Sequence, residues 1–134
     1  MKKQALFLAL SAALLAGCSN SSPIGIVDVD RITQNWPVYQ NDQQNLFLDE
    51  QKIQSSKVSA DQKRRQAFAL EQKYGAITLA LTNQLQDAAK KVAAARGLKL
   101  AVTRQGVGYG GTDITADVEK ELGITEKSTP TPSP

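Results

Sequence analysis

The sequence predicts an α+β fold: a small β-rich oligomerisation base, with a long antiparallel helical hairpin, a coiled-coil arm, inserted between the first and second strands. Three stretches carry that expectation. Ile24-Gly25-Ile26-Val27-Asp28-Val29 is rich in β-branched residues, and Leu98-Lys99-Leu100-Ala101-Val102-Thr103 alternates apolar with polar. Between them, residues 37–96 repeat their apolar positions at helical spacing.

The chain opens with Lys2 and Lys3, an apolar run from Ala5 to Leu15, and then Leu15-Ala16-Gly17-Cys18. This is the pattern of a lipoprotein signal peptide, expected to be removed at residues 1–17. The run falls short of the ~20 residues that cross a bilayer's hydrocarbon core. Cys18 is the one cysteine, so lipidation consumes its thiol and no disulfide is expected. Residues 18–23 then form a lipidated tether. Ser19, not an aspartate, follows the cysteine, which by resemblance to bacterial lipoproteins implies the periplasmic face of the outer membrane.

Loss of Lys2 and Lys3 leaves fourteen basic residues against thirteen acidic ones. That near balance lacks the basic footprint of a general nucleic-acid binder, so no nucleic-acid partner is expected. The chain has no histidine. With the thiol also consumed, the commonest general base, metal ligand and nucleophile are missing together. No metal, cofactor, small-molecule substrate or enzymatic activity is expected. Carboxylate chemistry on Asp28 and Asp30, or on Asp113 and Asp117, competes with a plainer reading of these acids as strand-end and helix-start residues that satisfy backbone amides. The glycine-rich Gly106-Val107-Gly108-Tyr109-Gly110-Gly111 fits neither a dinucleotide fingerprint nor a P-loop, and reads as tight turns around a short strand.

Asp30 to Asn35 forms a short helical turn, and Trp36-Pro37 starts a longer helix, proline being tolerated at the first helical position. From Pro37 to about Lys57 the apolar residues thin to a seven-residue repeat, Tyr39, Leu46 and Ile53. Ser55-Ser56-Lys57-Val58-Ser59 interrupts it as the hairpin tip. Ser59 with Gln62 has the capping-box spacing for a second helix from Ala60 to Arg96, ended by Gly97. Gly75 inside that helix reads as a bend. After strand 98–103, Gln105 and Gly106 make a turn, Val107 to Tyr109 a short return strand, and a last helix runs from Asp113 or Thr115 to Leu122. Residues 124–134 read as a disordered tail.

This order, together with Trp36-Pro37, Val107-Gly108-Tyr109 and Asp113-Ile114-Thr115-Ala116-Asp117-Val118, resembles the Skp/OmpH family of periplasmic chaperones over residues 24–123. The base would be 24–36 with 97–123, and the arm 37–96. The resemblance implies a homotrimer whose helical arms enclose a cavity, in which unfolded outer-membrane proteins are held without ATP. Ile24, Ile26, Val27, Leu98, Leu100, Val102, Val107, Tyr109, Ile114 and Val118 would form its oligomerisation base. A base of about fifty residues is too small to stabilise itself comfortably, so self-association is the natural remedy. The arm is shorter than is usual in the family and the lipid anchor is a departure from it. Unfolded envelope proteins would be held by exposed apolar residues, Phe47, Leu48, Phe68 and Leu70, beside a basic tip of Lys52, Lys57, Lys63, Arg64, Arg65 and Lys73. The alternative is a structural or adaptor lipoprotein whose coiled arm docks on one folded envelope partner.

Overall fold

A computed structural model describes residues 22–125. The signal peptide, Cys18, most of the tether and positions 126–134 of the predicted tail lie outside the described residues. The described chain is mixed helix and strand. It runs β1 (Ile24–Val27), α1 (Val29–Asn35), α2 (Pro37–Ser55), α3 (Ala60–Ala95), β2 (Leu100–Thr103), a 3-10 turn (Arg104–Gly106), β3 (Thr112–Asp113) and α4 (Thr115–Glu121).

Local chemistry explains the boundaries. Asp28 caps α1 by accepting from the Arg31 amide at 3.0 Å. Pro37 occupies the first turn of α2, where its missing N–H costs nothing. At the start of α3 the Ser59 side chain accepts from the Gln62 amide, and the Gln62 side chain accepts from the Ser59 amide, closing the expected capping box. Gly97 ends α3 at φ +68°, a left-handed position that suits glycine, and Leu98 donates back to the Ala93 carbonyl at 2.9 Å. Gly75 ends nothing, since α3 is one helix from Ala60 to Ala95 and a Cβ at Gly75 would meet open space.

The sheet departs from expectation. Its order is β2-β1-β3, and both pairings are parallel, with Ile24 beside Leu100, Ile26 beside Val102, and Gly25 beside Thr112. Val107 to Tyr109 is no return strand. Val107 instead closes the 3-10 turn by donating to the Arg104 carbonyl, and the chain travels back to begin β3 alongside the start of β1. The crossover can be short because β2 ends beside Val27 and β3 begins beside Gly25, so the chain climbs back past only two residues of β1. Gly111 makes the return fit: at φ +97° its missing Cβ would lie 2.6 Å from the Ile26 side chain.

The core lies where α1, α4 and the C-terminal half of α3 cover one face of the sheet. Ile32, Ile114 and Val118 are sealed there, with Val27, Trp36, Leu81, Ala88 and Val92 around them. Gly25 lets this layer close, since a Cβ would sit 2.9 Å from the Ile114 side chain. Ile124 belongs to the same core and its amide donates to the Glu119 carbonyl, so the folded domain extends past the expected tail boundary. The buried Glu119 carboxylate is held by two hydrogen bonds from Arg31, at 3.1 and 2.7 Å, and by Asn35. Ion pairs Arg96–Asp117 and Lys91–Glu121 tie α4 to the end of α3.

Candidate functional site

Helices α2 and α3 carry the residues singled out for binding. They touch at two levels. Near the connection between them, the Lys63 ammonium donates to the Gln54 carbonyl at 2.7 Å. Further along, the Tyr74 hydroxyl donates to Asp49 at 3.0 Å, while Lys52 and Lys73 reach the same carboxylate at 3.0 and 3.5 Å. Tyr39, Leu46 and Ile53 are all half-buried along the inner stripe of α2, as their seven-residue spacing predicts, and no α2 residue is fully buried.

This arrangement sorts the expected binding residues. Phe47, Leu48 and Phe68 are exposed, the two phenylalanines by 58% and 62%. Leu70 is not: it is half-buried and borders the concave surfaces on both flanks of the helix pair. Its place in the α3 stripe four residues before Tyr74 turns it inward. Leu79 and Val38 were missed, yet both are exposed. Leu79 falls out of the inward spacing set by Ile77 and Leu81, which is the signal that could have found it.

The basic tip is smaller than its composition suggests. Lys52 and Lys73 are spent on Asp49, Arg64 pairs with Asp61, and Lys63 is held by Gln54. Lys57 and Arg65 stay exposed with no acidic partner among the described residues.

Besides the small concavity of about 450 Å³ bordered by Lys52, Leu70 and Lys73, two larger ones lie along the helices. One, of about 890 Å³, lies at the junction with the sheet and is lined by Trp36, Tyr39, Leu81, Leu85, Leu98 and the β2 edge. The other, of about 1160 Å³, lies between α2 and α3 and is lined by Phe47, Ile53, Ala67, Leu70 and Tyr74. Thr78 borders both.

The expected base residues divide by face. Val27, Ile114 and Val118 are buried in the chain's own core, which removes them from any contact between copies. Leu98 and Val107 are half-buried. Ile24 and Leu100 are exposed and Ile26 and Val102 half-buried, and their register puts these four on one sheet face. Tyr109 is fully exposed on the crossover loop. The acids weighed for chemistry all have structural partners: Asp28 and Asp113 pair with Arg104, Asp113 caps the Thr115 amide, Asp30 accepts from Gln105, and Asp117 pairs with Arg96.

The Asp49 cluster makes the helix contact sensitive to pH. Hydrogen bonds from Lys52 and then Tyr74 hold Asp49 below its ordinary value of 3.8. Burial, and then the hydrogen bond to Asp49, push Tyr74 above its ordinary 10.0. A lowered carboxylate gives stability that is complete above the unfolded value and is lost as pH falls through the folded one; a raised tyrosine gives stability lost as pH climbs through its folded value. Protection factors for amide exchange in residues 44–54 and 69–79, taken against the unfolded chain at each pH, are therefore expected to hold between about pH 4 and 10 and to fall outside that window. Asp49→Asn, which still accepts from Tyr74, removes the acid edge.

Compared with known protein families and with curated proteins, the chain finds no match.

Proposed function

We propose that the chain is an ATP-independent holdase, tethered through lipid on Cys18 to the periplasmic face of the outer membrane, that holds unfolded envelope proteins along an arm formed by α2 and α3. In this reading the arm is an antiparallel helical hairpin, supported by the pairing of Gln54 with Lys63 and of Asp49 with Tyr74. The base assembles as a homotrimer through the row Ile24, Ile26, Leu100 and Val102. Among the described residues β2 and β3 are left as the two edges of the sheet, which supports self-association alongside that face, because unpaired edges invite pairing with another chain.

The observation that carries the reading is the set of exposed apolar side chains on the two helices, Phe47, Leu48, Phe68 and Leu79, with Phe47 bordering the concavity between α2 and α3. Apolar surface left in water on both helices marks an interaction site, and weak contacts spread along it suit partners without a common sequence. Lys57 and Arg65 add attraction for acidic clients. The test uses the soluble form beginning at Ser19. Outer-membrane barrel proteins are diluted from urea and their aggregation is followed by light scattering. Suppression for several unrelated barrels at near-equimolar arm is expected; a protein that protects none of them is no holdase.

A further inference from the structure

Where the tether leaves the fold fixes which end of the molecule meets the membrane. The Pro23 carbonyl accepts from the Lys99 amide at 2.8 Å, so the start of β1 is pinned beside the residue just ahead of β2. All three strands are parallel, which gathers their first residues, Ile24, Leu100 and Thr112, at one end of the sheet. That end adjoins the C-terminus of α3, because only 96–99 separate Ala95 from Leu100. The Ser56–Ser59 connection adjoins the opposite terminus of α3, 36 residues away, or about 54 Å of helix. Between Cys18 and Ser22 lie only Ser19, Asn20 and Ser21, which span at most ~14 Å.

The residues at that end have the chemistry of a membrane interface. Tyr109 is fully exposed, two residues before Gly111, where a Cβ would lie 3.4 Å from the Ile24 carbonyl oxygen. Lys99 is exposed with no acidic partner among the described residues. An amphipathic aromatic and a lysine flanking one end of the sheet suit the headgroup layer, where tyrosine rings concentrate and cations meet anionic lipid. We infer that the Pro23–Lys99 end of the sheet, with Tyr109 and Lys99 as its contacts, seats on the anionic leaflet holding the Cys18 lipid, and that α2 and α3 stand away from it. The inference rests on the lipoprotein reading of Cys18. Seating by side chains supplements the lipid, and it holds the exposed phenylalanines clear of the bilayer, where acyl chains would compete with clients.

The test uses the full lipidated chain in vesicles of phosphatidylethanolamine and phosphatidylglycerol at three to one. Single cysteines introduced by Gly108→Cys, an open position next to the intact Tyr109, or by Lys57→Cys carry a fluorophore, and lipids with headgroup nitroxides quench it. Quenching at position 108 at least threefold stronger than at 57 is expected, with the gap narrowing when phosphatidylglycerol is omitted. Equal quenching means the arm lies along the surface and overturns the seating. Intact mass is measured on the same sample. A chain without lipid on Cys18 sinks the anchoring premise and the seating with it, whereas a lipidated chain with equal quenching sinks the seating alone.

Discussion

Replacing Phe47, Phe68 and Leu79 together by serine is expected to raise the concentration needed for half-maximal suppression of barrel aggregation at least tenfold, while the melting temperature falls by no more than about 8 °C. The two halves of this expectation come from one property. These side chains are the most exposed large apolar groups on α2 and α3, at 58%, 62% and 62%. Because they contribute little to the chain's own packing, their loss falls in the range of surface substitutions, about 0.5 kcal/mol each. To a bound client each offers apolar area that water would otherwise meet, and burying a leucine or phenylalanine side chain is worth about 1.5–3 kcal/mol. Losing even part of that at three positions exceeds the 1.4 kcal/mol that makes a factor of ten. If the phenylalanines only braced the two helices, the pattern would invert, with stability falling and suppression unchanged. Leu70→Ser is the contrasting control: this half-buried residue lies between the helices, so it should cost stability first.

Arg31→Leu is expected to destabilise the domain by about 3 kcal/mol, a fall of roughly 15 °C in melting temperature for a domain near 100 residues. Glu119 is only 1% exposed, and its carboxylate depends on the two Arg31 hydrogen bonds. Removing the guanidinium leaves a buried charge with Asn35 at 3.4 Å as its remaining side-chain donor among the described residues. The figure sits at the low end for a buried pair because the arginine itself is half exposed. Arg31→Leu combined with Glu119→Leu should recover most of the loss, since the penalty belongs to the stranded carboxylate and not to the missing attraction. Lys90→Ala, which breaks the fully solvated pair with Asp87, should change stability by less than 1 kcal/mol.

The contrast between these pairs also marks where the sequence was legible. Signals that act within one turn of chain were readable: the Ser59–Gln62 box, Pro37 at a helix start, Gly97 at a helix end, and the seven-residue spacing of Tyr39, Leu46 and Ile53. Each depends on neighbours a few residues away, so its physics is written in consecutive positions. Features made by distant partners were not readable. Glu119 looks like a solvated residue on a short charged helix until Arg31, 88 residues earlier, is folded against it. Asp49 carried no mark of its bond to Tyr74, because that contact depends on how two helices align. The parallel β3 escaped notice because two residues show no alternation, and the glycines before it resembled a hairpin turn. Among the residues expected to bind clients, the exposure of Phe47 and Phe68 followed from their absence from the inward stripe. Leu70 was misplaced for the opposite reason, since it falls within that stripe.

Whether the arm meets many unfolded chains or one folded partner is decided most directly by photo-crosslinking in living cells from a reactive side chain placed at Phe68. A holdase yields adducts with many envelope proteins, increasing when outer-membrane assembly is slowed and fading when Phe47 and Leu79 are serine. One adduct of fixed mass, unchanged by the load of unfolded protein, would contradict client holding and leave the chain a tethered adaptor.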